Sequence, residues 1–142
     1  MMSYLNTKIH PVLTDVILLL VRLFVGFAML SHGFPKLQSF IEGGESNFNF
    51  LGLGLRTTLF LTVFAEFVCS IFLILGLFTK IAVGFLIFAM FIAGFVVHGS
   101  DPFSKRETRL LYLSIYLLIL AFGAGKYSID YMIEKKRRAS QW

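Results

Sequence analysis

Residues 57–77 read TTLFLTVFAEFVCSIFLILGL, 21 positions with a single charge, Glu66, near the middle. At about 1.5 Å per residue an α-helix of that length covers roughly 30 Å, the thickness of a bilayer's hydrocarbon layer. A strand of a membrane barrel would instead alternate polar and apolar residues over about 10 positions, and no alternation is present. The stretch therefore predicts a membrane-crossing helix. A carboxylate at that depth costs roughly 2.5–3.5 kcal/mol on insertion scales, which makes Glu66 the first candidate for structure or chemistry.

Working outward, three more apolar stretches have similar length: Leu13–Ser31, Ile81–Val97 and Thr108–Ala124. The expected fold is all-α, a membrane four-helix bundle formed by a single domain over residues 1–142. Composition agrees. The chain is 57% hydrophobic with 17 Phe, mean hydropathy is +0.80 and charged residues are only 15%, against about 25% in soluble domains. Lys8 precedes an apolar run as in a signal peptide, but Arg22 interrupts that run, so the segment is read as a retained first span. Only Phe78, Thr79 and Lys80 separate the second and third stretches, which makes them antiparallel neighbours. Between the first and second, Pro35 to Ile41 is expected to lie as a short interfacial helix.

With four spans both termini share a side. An N-in, C-in arrangement puts Lys8, Lys80, Lys126, Lys135, Lys136, Arg137 and Arg138 inside, against Lys36, Arg56, Lys105, Arg106 and Arg109 outside, and the C-terminal run decides the orientation. That run reads as a membrane anchor, with no nucleic acid among the expected partners. Tyr4, Tyr127, Tyr131 and Trp142 fit interfacial anchoring. The one cysteine, Cys69, excludes an internal disulfide or a CxxC redox cycle.

Counted from the shared outer loop, Arg22 and Glu66 lie at about the same depth, roughly 13–15 Å in, and are expected to form a charge-assisted hydrogen bond. Thr58, Thr62, Glu66 and Ser70 share one helical face, as do Asp15, Arg22, Gly26, Met29 and Gly33; both stripes should point inward. The pair either locks two helices together or forms a ligand or proton site, and the two roles are compatible. His32, His98, Glu107 and Lys36 are expected to ring the outer mouth, with Tyr112 and Tyr116 one and two turns further in. Their spacing suggests no metal site. Histidine, tyrosine and a basic residue suit the oxygens of a quinone, provided an apolar slot holds the ring.

Several segments together resemble the DoxX family of small bacterial membrane proteins: Arg22-Leu23 with Gly26, His32-Gly33 and Lys36; Glu66 followed by Leu75-Gly76-Leu77-Phe78-Thr79-Lys80; His98-Gly99; Glu107 with Leu111-Tyr112-Leu113; and Gly125-Lys126-Tyr127-Ser128-Ile129-Asp130. The resemblance implies a four-helix bundle in the bacterial inner membrane. Some relatives are associated with the membrane part of thiosulfate:quinone oxidoreductase, others with oxidative-stress complexes that have soluble partners. The expected function is thus a redox-associated inner-membrane subunit that interacts with quinone, its electrons coming from a protein partner or diffusible donor. Glu66 and His98 are the expected catalytic residues; Arg22, His32, Lys36, Glu107, Tyr112 and Tyr116 are the expected ligand contacts. A non-enzymatic scaffold within a larger complex or a homo-oligomer is the alternative, and a small-anion transporter using Arg22 is a third.

Overall fold

The computed structural model describes residues 7–142, so Tyr4 lies outside the described residues. No strand occurs among them. Five helices follow in order: α1, Pro11–Ile41; α2, Leu55–Leu75; α3, Thr79–Val97; α4, Phe103–Phe122; and α5, Ile129–Ser140. One core is drawn from the first four: Val25 and Met29 of α1, Cys69 and Leu73 of α2, Val83, Leu86 and Met90 of α3, Tyr116 and Ile119 of α4. The outward faces are as apolar as the core. Phe24, Phe27, Phe60, Phe88 and Phe95 all stand exposed, which water would penalise by roughly 25 cal/mol for each Å² and lipid would not.

Three helices are long and apolar enough to cross a membrane: α1, α2 and α3. In α4 the first two turns carry Lys105, Arg106, Glu107 and Arg109, and only 110–122 is free of charge, a length of about 20 Å. The predicted boundaries of the second, third and fourth stretches fall within a few residues of α2, α3 and α4. The first does not. A single helix runs past Ser31 and through Pro35 to Ile41, so no separate interfacial helix exists at Pro35–Ile41. Pro35 lacks the N–H that would bond the Ser31 carbonyl, an interior defect of about 3 kcal/mol. Two contacts offset it. Lys36 is held by Glu66, and Arg56 stacks its guanidinium 4.5 Å over the Phe40 ring while donating to the Phe40 and Gly44 carbonyls.

Helices α1 and α2 touch along glycines. A Cβ on Gly33 would stand 3.0 Å from the Glu66 carbonyl carbon, and one on Gly26 would press on Ile74 and the Ser70 carbonyl. Small residues at these points let two backbones approach closely, the usual device of helix pairs in lipid. The same contacts fix the register: Gly33 lies beside Glu66, Gly26 beside Ser70, and Arg22 beside Gly76.

The lower end of the bundle is tied by a polar knot. Gly76 ends α2 at φ +68, Phe78 follows at φ +47, and the amides of Phe78 and Thr79 both donate to the Asp130 carboxylate at 2.8 Å. A carboxylate on a helix's first N–H groups is favoured by both the orphan donors and the dipole. The Asp130 amide donates back to the Gly76 carbonyl at 2.9 Å. Arg22, 1% exposed, donates from Nη2 to the Tyr127 carbonyl at 2.6 Å. Ser128 caps α5 by accepting from the Tyr131 amide, and Asp15 accepts from the Lys126 amide at 3.2 Å.

Gly76→Ala places a Cβ against the Arg22 guanidinium at a left-handed position, so it is expected to cost at least about 1–2 kcal/mol. Asp130→Asn removes charge from two helix-capping bonds and should cost roughly 1.5–3 kcal/mol. Gly84→Ala, with open space around it, should be neutral or stabilising by up to about 1 kcal/mol. Thermal unfolding of the three purified variants in detergent ranks them; equal midpoints would refute the knot's role.

Candidate functional site

Glu66 is presented by a defect in α2. Between Phe64 and Val68 the helix widens to π geometry, with the Cys69 amide reaching back to the Phe64 carbonyl. Such single-turn π segments interrupt the regular side-chain succession and recur at functional positions. Here the widened turn lies against Gly33, and the carboxylate, 7% exposed, turns toward α1. Thr58 and Ser70 of the same stripe are buried and Thr62 half-buried, so the polar face points inward as expected.

Lys36 occupies the position expected for Arg22. Its Nζ lies 2.8 Å from each carboxylate oxygen of Glu66, a symmetric two-pronged contact. The predicted Arg22–Glu66 pair does not form. Arg22 sits beside Gly76 and Glu66 beside Gly33, so the two are offset by the eleven positions from 22 to 33, about 16 Å along α1. The physical reason is the continuation of α1: with the helix ending at Ile41 rather than Ser31, Arg22 lies far lower than a count from His32 gives. Lys36 is likewise not at the outer mouth. It is level with Glu66, which is close to the middle of α2.

Two tyrosines and a histidine complete the group. Tyr112 and Tyr116 stack at 6.1 Å on α4, and the His32 ring meets Tyr112 edge-on, also at 6.1 Å. Glu66 is near enough for its charge to act on both phenols. Tyr116 is fully buried, and its hydroxyl and that of buried Ser70 have no hydrogen-bond partner among the described residues. The Lys36 side chain is 42% exposed and His32 is exposed on α1, so the cluster is open on one side. A carboxylate, an ammonium, two phenols and an imidazole thus converge inside an otherwise apolar bundle. Together they can donate to ligand oxygens, accept protons and pass them on.

His98 and Glu107 are not joined to this cluster by any hydrogen bond, ion pair or ring contact among the described residues. His98 follows a second π stretch, Ile92–Val97, and pairs through Nδ1 with Asp101 at 2.8 Å. Glu107 is exposed on the first turns of α4. His32 stays exposed and meets Tyr112 edge-on, well short of the end of α1. No trio of His, Cys, Asp and Glu comes together among the described residues in a way that would hold a metal.

Sequence reasoning missed the Lys36–Glu66 pair and the cap supplied by Asp130. Its signal for the first was Gly33: a glycine three residues before a lysine on a helix predicts close backbone approach and a cation arriving one turn later. For the second it was Gly125-Lys126-Tyr127-Ser128-Ile129-Asp130, already singled out as a block.

Residues 17–99, covering α1 from its second turn through α3 and its following turn, match the DoxX family model. The chain belongs to the DoxX family. With its apolar helices this makes it a membrane protein of that family. No curated protein and no solved structure matches the chain. The matched segment contains Arg22, His32, Lys36 and Glu66, whereas Tyr112, Tyr116 and Asp130 lie beyond it.

Removing one member of the ion pair strands the other. Lys36→Met or Glu66→Met should each cost about 2–3 kcal/mol, somewhat below the range for fully buried pairs because Lys36 is partly exposed. The double variant should recover most of that loss. A double-mutant cycle on thermal or denaturant unfolding in detergent reads the coupling, and additive losses would rule the pairing out.

Proposed function

We propose that this DoxX protein is a redox-associated subunit of the bacterial inner membrane that binds a quinone at the Lys36–Glu66–Tyr112 cluster. The single observation carrying this assignment is a two-pronged ion pair at mid-helix depth, flanked by stacked phenols and open on one side. A pair that only locked two helices would need neither the unpartnered Tyr116 hydroxyl nor the exposed edge.

The donor set fits a quinone. Lys36 and Tyr112 carry N–H and O–H groups for a carbonyl oxygen, His32 adds an imidazole, and Glu66 can accept or relay a proton. An apolar groove of about 720 Å³ runs between α1 and α4, lined by Ile17, Val21, Phe24, Ile115, Leu118 and Ile119. On α4 its lining starts at Ile115, between the two tyrosines in sequence, and the groove suits a hydrocarbon tail. A bound quinone takes two electrons and two protons to become a quinol. The chain has no redox cofactor motif, so the electrons come from a partner or a diffusible reductant. The protons reach the carbonyl oxygens through Lys36, Tyr112 and Glu66. His98 and Glu107 are assigned to the outer entrance, not to headgroup contact.

In this proposal the four helices that share the core all span the bilayer, N-in and C-in. The short apolar part of α4 is completed by its charged first turns reaching the outer headgroups. Arg22, 1% exposed and packed under Gly76, is closed to solvent, and this favours the quinone reading over an anion-transport role, although its Nε and Nη1 meet no partner among the described residues.

Equilibrium binding of short-chain ubiquinone and menaquinone analogues to the protein in nanodiscs tests the assignment. Glu66→Gln and Tyr112→Phe should each weaken binding about tenfold, the loss expected when a hydrogen bond worth about 1.4 kcal/mol goes. His98→Ala and Glu107→Gln should change it less than threefold. Undiminished binding in both of the first variants, or no binding by the unaltered protein together with a stoichiometric copurifying complex, would replace the quinone site with the scaffold role.

A further inference from the structure

The last helix, α5, has a polar side turned to the bundle and an apolar side that no described residue covers. Asp130, Tyr131 and Glu134 line a cleft of about 530 Å³ whose other wall includes Asp15, Lys80 and Lys126. Ile129, Met132 and Ile133 share the opposite stripe, at i, i+3 and i+4 spacing. Met132 is 61% and Ile133 51% exposed, and every residue from Tyr131 onward is exposed. At 100° per residue, Lys135 and Arg137 flank this stripe on its two sides and Lys136 lies in line with it.

Charge accounting at this end is one-sided. Asp15 is occupied by the Lys126 amide, Asp130 by the amides of Phe78 and Thr79, and Glu134 by Arg138. The side chains of Lys80, Lys126, Lys135, Lys136 and Arg137 meet no carboxylate among the described residues. Lys135, Lys136 and Arg137 thus surround the uncovered apolar stripe without a carboxylate partner, while Lys80 and Lys126 stand across the cleft. The root of α5 is pinned between the Asp15 and Arg22 levels of α1, where Val16, Ile17 and Leu20 stand exposed. Exposed apolar residues at that height favour contact with lipid over water.

We infer that α5 is an in-plane helix that binds anionic phospholipid: Met132 and Ile133 enter the acyl boundary, while Lys135, Lys136 and Arg137 meet phosphodiester headgroups of the same membrane. Interfacial helices combine an apolar stripe with flanking cations in this way. The inference rests on the membrane assignment and not on the quinone site. Each basic residue near an anionic leaflet strengthens attachment about fivefold, so the run as a whole dominates over the short stripe.

The test uses the full chain in nanodiscs with an environment-sensitive thiol dye at Ile133→Cys or at Glu134→Cys, native Cys69 being buried. In discs of phosphatidylcholine with phosphatidylglycerol, the dye at 133 should be quenched by spin-labelled lipid and shielded from iodide, and the dye at 134 the reverse. Shielding at 133 should fall at least about fivefold in pure phosphatidylcholine. It should fall as much when Lys135, Lys136, Arg137 and Arg138 are all changed to Gln. Equal iodide access at 133 in both lipids overturns the inference. So does shielding that appears in neutral discs only once a soluble protein fraction is added, which would make the stripe a protein-docking face. If the charge variant fails to accumulate, the lipid exchange on the unaltered charges decides alone.

Discussion

An ammonium and a carboxylate meeting halfway along a lipid-facing bundle set the terms for everything around them. Lys36 can reach Glu66 only because α1 continues as a helix beyond Pro35, and only because Gly33 lets the α1 backbone come against the widened turn of α2. Each of these features is unfavourable on its own. Proline breaks a rung, the π turn loosens a helix, and two charges leave water. Together they are consistent, since the pair holds the second half of α1 where the missing rung would let it bend. Buried ion pairs of this kind define register more than they add stability, and the register here brings Tyr112, Tyr116 and His32 to one place.

The bundle has two polar centres with different characters. The upper one has unpartnered hydroxyls and an open edge, so it has unused hydrogen-bonding capacity. The lower one, around Arg22, Gly76 and Asp130, caps helix ends and engages carbonyls, with a glycine where no side chain fits, yet Arg22 Nε and Nη1 and the Thr79 hydroxyl meet no partner among the described residues. A membrane protein must satisfy its chain ends without water, and the lower knot does so. What separates the two is the open edge beside Lys36 in the upper centre and the capping of the α3 amides by Asp130 in the lower. Arg22, the most conspicuous charge in the first apolar stretch, belongs to the lower centre.

Hydropathy made the apolar helices legible, because length and composition alone fix what can cross a bilayer. It was blind to where α1 ends. His32 and Pro35 look like a terminus, and the interactions that override them come from Glu66 and Arg56, 30 and 16 positions away from their partners. One misplaced end then shifted the estimated height of Arg22 and suggested the wrong partner for Glu66. The inward stripe Thr58, Thr62, Glu66 and Ser70 survived this, since it depends only on local periodicity. Lys36, Tyr112 and Tyr116 were chosen from residue type and position. Their convergence on Glu66 could not be read without knowing how far α1 slides along α2. The α5 cap was illegible for a similar reason: Asp130 serves amides 52 and 51 residues earlier in the chain.

That separation has a consequence for assembly in the cell. The carbonyl that takes the Arg22 hydrogen bond belongs to a residue 105 positions later, and at roughly 5–20 residues per second the ribosome needs several seconds to reach it. Until then the first span carries a guanidinium without its final acceptor, and the start of α3 is uncapped. Closure of the Arg22–Asp130 end is therefore one of the last events in biogenesis. A nascent chain stopped before Tyr127 would leave the membrane-insertion machinery with both of these groups unsatisfied.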